Sequence, residues 1–172
     1  MEKVTIILNN RDLLEWPMKM CEKMSSLRGV YEIIILDNGS TNRKLLQWYK
    51  SCEHKVIFLE NLGHTAPWIS GILDYIQTDF YVVTDPDLDI DAIPDDALEH
   101  LCGILKNNPM LGKVGLSLAT SGIPIESPYY HHVMRHDDLS QSLEIIDDSF
   151  KLFPVDTTFA VYDRRHLKSY KI

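Results

Sequence analysis

The sequence predicts an α/β domain, and three observations carry that expectation. Short β-branched runs recur along the chain, segments with apolar residues at three- and four-residue spacing lie between them, and polar clusters rich in Asp, Asn and Gly follow the runs. At 172 residues and 45% hydrophobic content, one such domain can bury roughly 70% of its unfolded surface.

The first strand is expected at residues 4–8. Pro17 can open the helix that follows, on which Met20, Cys21, Met24 and Leu27 share one face, and core packing accounts for those methionines. A second strand is expected at residues 32–36, after which Ser40 or Thr41 can cap a helix carrying Leu45, Leu46, Trp48 and Tyr49. Residues 55–59 read as the third strand, and Pro67 can begin a helix containing Trp68, Ile69, Ile72, Leu73 and Ile76. Trp48 and Trp68 fall on apolar helix faces and are expected in the core. The fourth strand spans residues 80–84, and Pro94 can open a helix with Ala97, Leu98, Leu101, Cys102 and Leu105. Further strands are expected at residues 114–118 and 158–162. Between Thr120 and Leu152 the regularity fails, and this stretch rich in Pro, Ser, His and Asp is expected to be an irregular, substrate-facing insertion that closes as a mobile lid.

Composition narrows the function classes. Cys21, Cys52 and Cys102 are odd in number with no CxxC pair, so buried free thiols in a reducing compartment are expected rather than a disulfide framework or zinc site. No apolar stretch approaches the ~20 residues that span a bilayer, and the first residues lead into a strand rather than a signal peptide, so a soluble cytoplasmic protein is expected. The net charge of -8, from 17 Lys and Arg against 25 Asp and Glu, disfavours wrapping by nucleic acid. An acidic protein can still bind an anionic ligand if a cation reverses the sign locally.

Residues 81–91 supply a place for such a cation, because an apolar strand runs into Asp85, Asp87, Asp89 and Asp91 at alternate positions. Pro86 restricts the backbone between Asp85 and Asp87, and two carboxylates held close repel each other unless something positive sits between them. A divalent cation with oxygen ligands is the simplest solution; Asp89 and Asp91 read as an ordinary polar loop. An EF-hand is excluded because Ile90 stands where that loop requires Gly, Asp96 stands where it requires Glu, and a strand precedes it. There is no GxGxxG after the first strand and no GxxxxGK[ST] anywhere. A phosphatase Asp-x-Asp pair would normally follow the first strand rather than the fourth.

Four polar clusters then fall at strand ends: Asn9-Asn10-Arg11-Asp12, Asp37-Asn38-Gly39-Ser40, Glu60-Asn61-Leu62-Gly63-His64 and Asp85-Pro86-Asp87. Ligands of open α/β sheets bind beyond the carboxyl ends of the strands, so these clusters together form a candidate nucleotide and metal site.

Residues 4–10, IIILDNGS at 33–40, Asn61-Leu62-Gly63 with Ala66 and Gly71 downstream, and VVTDPD ending at Asp87 resemble the nucleotide-binding half of a GT-A fold glycosyltransferase of the family 2 type, over residues 3–118. The later run from Val155 to Ala160 resembles the acceptor-side segment of some such enzymes. The resemblance implies a single Rossmann-like GT-A domain, its mostly parallel central sheet flanked by helices, with a nucleotide-sugar-binding half at 3–118 and an acceptor-side half at 119–172. It implies a metal-dependent inverting enzyme that uses Mn²⁺ or Mg²⁺ and moves a sugar from a nucleotide-diphosphate donor, UDP favoured, to the hydroxyl of a glycan or other acceptor. Asn9 and Arg11 would border the nucleotide, Asp37 would hydrogen-bond the base, and Asn61 and Gly63 would line the path toward ribose and diphosphate. Asp85 would lie by the ribose or metal, and Asp87 would ligate the metal.

Asp156 is the candidate general base, against an equal expectation that it orders the turn before the last strand. His64 either touches a phosphate or is satisfied by a backbone carbonyl. His131, His132 and His136 offer an i,i+4 pair that could bind a metal if helical, but the surrounding Tyr, Ser and Asp read as a solvated loop, and Arg164, Arg165, Lys168 and Lys171 read as a solvated basic helix face. Enzymes of this type usually continue past the strand near residue 160 and there supply a further metal or diphosphate ligand, commonly His. This chain stops at Ile172 and so reads as an excised domain, a truncated product or a minimal enzyme, and an incomplete metal shell would lower activity more than nucleotide binding. The rival expectations are a nucleotide-sugar-binding module without turnover and, more remotely, a metal-dependent phosphohydrolase.

Overall fold

Ile6, Ile7 and Leu8 are wholly buried at the centre of the first strand, β1 (Val4–Asn10), and such an uninterrupted apolar run is the mark of a strand covered on both faces. The computed structural model describes residues 2–119, 122–141, 145–147, 150–151 and 159–166. Around β1 a six-stranded sheet forms in the order β3-β2-β1-β4-β8-β5. Its other strands are β2 (Val30–Asn38), β3 (Lys55–Leu59), β4 (Phe80–Thr84), β5 (Lys113–Gly115) and β8 (Phe159–Asp163). The pairs β1–β2, β1–β4 and β2–β3 are parallel, whereas β8 runs antiparallel to both β4 and β5. This is the mostly parallel α/β sheet that the sequence predicts.

The helices differ from expectation in instructive places. α1 (Glu15–Ser26) begins two residues before Pro17, which its first turn accommodates because the amide that proline lacks has no intrahelical partner there. Pro17, Met20, Cys21 and Met24 form its buried face. α2 (Arg43–Tyr49) is capped by Asn42, whose side-chain oxygen accepts from the Lys44 amide at 3.1 Å and the Leu45 amide at 3.4 Å, not by Ser40 or Thr41. The expected third helix is broken into α3 (Ala66–Ile69) and a 3-10 turn at Ile72–Tyr75, because Gly71 between them takes the left-handed φ of +81° that ends a helix. α4 (Ala97–Asn107) buries the predicted Ala97, Leu98, Leu101, Cys102 and Leu105.

The chain divides into two compact units, residues 1–115 with 156–172, and residues 116–155. Within the second, α5 (Tyr130–Gln141) and a hairpin of β6 (Ile145–Asp147) with β7 (Phe150–Lys151) correct the expectation of an irregular insertion. His, Asp and Ser are weak helix formers and blur the periodicity, yet residues 130–141 contain no Gly or Pro to stop a helix. His131, His132 and His136 are thus helical rather than in a loop.

β8 closes the first unit through aromatic packing and one ion pair. Tyr81 and Tyr162 are register partners and stack at 5.2 Å, with half-buried Trp68 edge-on to Tyr162 at 5.0 Å. At the end of β8 the Asp163 carboxylate, 1% exposed, accepts from the Arg165 amide at 2.8 Å and from its guanidinium. Arg165 thus serves this pair rather than a free basic face. The Asp163 amide donates to the Gly112 carbonyl at 3.0 Å and the Arg164 amide to the Asp79 carbonyl at 2.9 Å, so this turn fastens β8 to the segments that lead into β5 and β4. Burial pushes the Asp163 carboxyl up, but the hydrogen bonds and charge of Arg165 outweigh it and hold the group below 3.8. A depressed native pKa contributes stability above the unfolded value and loses it as pH falls through the native one. Asp163→Asn should therefore cost about 1–2 kcal/mol at neutral pH, the exposed guanidinium limiting the loss, and the gap to wild type should close below pH ~3.8. Urea unfolding of both proteins at pH 7 and pH 3 checks this.

Candidate functional site

Strand order fixes where a ligand can enter. From β1 the chain first adds β2 and β3 on one side and then places β4 on the other, so the connections diverge between β1 and β4 and leave a crevice at their carboxyl ends. Leu8 pairs in register with Thr84, so Asn9, still within β1, and Asp85, just past β4, stand at one level, while Asn10 pairs with Asp37 on the opposite side of β1. Three of the four polar clusters therefore meet along this edge, and the fourth joins them by direct hydrogen bonds.

Asn38, 4% exposed, makes that connection: its side-chain amide donates to the Gly63 carbonyl at 2.6 Å and its oxygen accepts from the Leu62 amide at 2.7 Å. Asn9 donates to the same Gly63 carbonyl at 3.4 Å. The Gly63 amide in turn donates to the Asn61 side chain at 3.2 Å. Gly39, with φ +75°, lets the two loops approach so closely that a β-carbon there would sit 3.1 Å from the Asn61 nitrogen. Gly63 also has a left-handed φ but faces open space.

Asp12 ties the β1 loop to the β2 loop. Its carboxylate accepts from the Thr41 amide at 2.6 Å and the Asn42 amide at 2.8 Å, while its own amide donates to the Ser40 hydroxyl at 2.8 Å. Hydrogen bonds from those two amides hold the Asp12 carboxyl below 3.8, with the Arg11 charge assisting. The backbone at Asp12 is left-handed, φ 57°, which Asp tolerates better than most residues. Arg11 beside it is exposed.

Asp37 is 2% exposed; one carboxylate oxygen accepts from the Ser40 amide at 3.1 Å, and the other, Oδ1, has no hydrogen-bond partner among the described residues. Asn9 Oδ1 is buried and unsatisfied in the same way. Buried acceptors without donors are costly and point to a donor supplied from outside the chain.

Beyond β4 the Thr84 hydroxyl donates to the Asp85 carbonyl at 3.1 Å, Asp85 is half-buried and Asp87 is exposed. Ile90, 4% exposed, pins the loop to the core, and Asp89 accepts from the Asp91 amide at 3.2 Å in a local turn. Among the described residues no three His, Cys, Asp or Glu side chains are grouped to hold a metal. His64 is exposed on a short 3-10 turn, and Asp156 lies outside the described residues. A groove of about 560 Å³ between α1 and the segment after α2, lined by Glu15, Lys19, Trp48, Cys52 and His54 among others, contains none of the predicted site residues.

No protein-family model matches the chain, and no curated protein does. Solved structures match its fold. A mannosyltransferase from Pyrobaculum calidifontis, in complex with GDP-Man and Mn²⁺, superposes with a TM-score of 0.63 at 15% identity over 98% of this chain and 46% of its own. Glucosyl-3-phosphoglycerate synthase from Mycobacterium tuberculosis, in complex with Mn²⁺ and UDP, gives 0.60 at 17% identity over 95% of this chain and 57% of its own. A CMP:2-keto-3-deoxy-manno-octonic acid synthetase complexed with CTP gives 0.61 at 14% identity over 98% and 77%. The chain thus has a GT-A-like fold, and it spans about half the length of the two transferases.

Asn38 and Asp12 are the site residues that sequence reasoning missed. Both lie in recognised polar clusters, but no spacing says which loop a side chain will bond. Asn38→Leu should leave the Leu62 amide without its acceptor, costing about 1–3 kcal/mol. Amide exchange should accelerate at Leu62 while the central amides of β1 stay protected, as measured by NMR hydrogen exchange.

Proposed function

We propose that the chain is the catalytic domain of a metal-dependent, inverting glycosyltransferase that moves a sugar from a nucleotide-diphosphate donor, UDP favoured, to an acceptor hydroxyl on a glycan. One observation carries the reading: a GT-A-like sheet presents a buried carboxylate with an unpartnered oxygen, Asp37, and the Asp85–Asp87 pair at the same edge. Mn²⁺ with GDP-Man or UDP in two structures of this fold supports it.

In this reading Asp37 accepts a hydrogen bond from the nucleotide base, Asn9 and Arg11 border the nucleotide, and Asn61 and Gly63 line the way to ribose and diphosphate. The open space at Gly63 suits close approach by a phosphate. Asp85 and Asp87 would hold Mn²⁺ or Mg²⁺, and hard oxygen donors suit either ion, whose remaining positions diphosphate and water oxygens can fill. Bound there, a divalent cation would neutralise the charge that develops on the leaving diphosphate. Asp156 would take the proton from the acceptor hydroxyl as its oxygen attacks the anomeric carbon, the bond to the diphosphate breaks and the configuration inverts. Residues 3–118 form the nucleotide half and 119–172 the acceptor half.

A second reading is a nucleotide-sugar-binding module without turnover, favoured by the absence, among the described residues, of a third metal-binding side chain grouped with Asp85 and Asp87. Release of free nucleoside diphosphate from UDP-sugars in the presence of Mn²⁺, with and without glycan acceptors, separates the two. For binding, wild type should lose UDP affinity when EDTA replaces Mn²⁺, Asp87→Ala should bind equally weakly in both, and Asp37→Ala should weaken UDP about 5- to 150-fold, the equivalent of one hydrogen bond in a desolvated pocket. Wild-type binding that ignores the metal, seen by titration calorimetry, removes Asp87 from this role. Asp156→Asn should spare UDP binding and reduce transfer about 100- to 10,000-fold.

A further inference from the structure

Beneath the Asp37 carboxylate lies a second layer of polar groups that neither the sequence motifs nor the proposed reaction uses. Tyr49 ends α2 with its ring 6% exposed, and its phenol oxygen accepts a hydrogen bond from the Asn10 side-chain amide at 2.8 Å. Asn10, wholly buried, also donates to the Leu13 carbonyl at 2.9 Å, so both hydrogens of its amide are committed and its orientation is fixed. Asn10 is the register partner of Asp37 on the neighbouring parallel strand, so the two side chains lie side by side on the face where Tyr49 packs. The phenol oxygen therefore receives a donor from one of the pair and has its own hydrogen to give.

The other member of the pair, Asp37, is the charged neighbour of that hydroxyl. Burial drives the Tyr49 pKa far above its ordinary value, and the neighbouring Asp37 carboxylate adds to that rise, so the phenol keeps its proton throughout the working range. A buried hydroxyl that already accepts from Asn10 turns its hydrogen to an anionic oxygen before a neutral one.

We propose that Asn10 and Tyr49 are positioning residues for nucleotide recognition: Asn10 orients the phenol, and the phenol hydroxyl steadies the Asp37 carboxylate so that its lone pairs point at the base. Ser40 holds the carboxylate from the other side through its amide, at 3.1 Å. One oxygen of the carboxylate is then held by Ser40 and the other, which has no hydrogen-bond partner among the described residues, is left to the base, which meets an acceptor whose rotamer cost has been met in folding. This inference rests on the reading of Asp37 as the base contact.

The test is a double-mutant cycle on UDP binding in Mn²⁺, measured by titration calorimetry on the whole chain as wild type, Tyr49→Phe, Asp37→Ala and the double variant. Tyr49→Phe removes one oxygen atom, keeps the ring and leaves Asn10 its bond to Leu13. It should weaken UDP about 5- to 15-fold in the wild-type background and by less than about 2-fold when Asp37 is already alanine, since residues that act through one another are not additive. Asn10→Leu should reproduce that dependence on Asp37, and it replaces Tyr49→Phe if the latter fails to fold by circular dichroism. Equal effects in both backgrounds, including no effect in either, would overturn the positioning role and leave the function of Asp37 intact. If Asp37→Ala itself leaves UDP affinity unchanged, the base-contact reading falls first and the positioning role falls with it.

Discussion

Parallel pairing of β1 with β2 on one side and β4 on the other sets the level at which each polar loop leaves the sheet. Every buried amide and carbonyl of β1 must be paired, and the apolar runs of its neighbours bury properly in one register. A slip of one residue would turn Ile6 and Leu8 to the face now occupied by Ile7, and would carry Asn10 away from Asp37 and Asn9 away from Asp85. The pairing that stabilises the core therefore also aligns the candidate site.

The loops above that edge are held by side chains more than by backbone pairing. The Asp12 carboxylate accepts from two amides of the β2 loop, and Asn38 donates to one backbone group and accepts from another in the loop after β3; both do so with short side chains that lose little freedom on ordering. Gly39 and Gly63 supply left-handed turns, and Gly39 also the close approach to Asn61, that this stitching demands. Among the described buried side-chain oxygens without partners are one each on Asn9, Asn10 and Asp37, at the carboxyl ends of β1 and β2. A site preorganised in this way meets a ligand's donors with acceptors already aimed and desolvated.

Much of this was legible in the sequence. Strands with apolar runs, such as residues 4–8 and 80–84, were plain because burial on both faces demands continuous hydrophobicity. The four polar clusters were plain because Asp, Asn and Gly concentrate where strands end. The α5 helix was not, since its His, Asp and Ser residues lack an apolar stripe and its helicity comes from the absence of breakers across residues 130–141. The cap of α2 was misassigned because Ser40, Thr41 and Asn42 are all competent caps, and the choice went to Asn42 once Asp12 had engaged Ser40 and Thr41.

The sequence by itself determined the local conformations, the likeness to a GT-A nucleotide-binding half, and the residue types available for chemistry. The first and last follow from periodicity and turn propensity, and the likeness rests on the motifs at residues 4–10, 33–40, 61–63 and 82–87. Only the tertiary structure decided that β4 lies against β1 while β2 and β3 lie on its other side, that β8 returns antiparallel between β4 and β5, and that Asn10 is buried between its register partner Asp37 and its hydrogen-bond partner Tyr49. The reason is physical: propensity and patterning act over a few neighbouring residues, whereas strand order and side-chain partnership are set by which surfaces exclude water together, a choice among contacts 26 to 83 residues apart that no local pattern encodes.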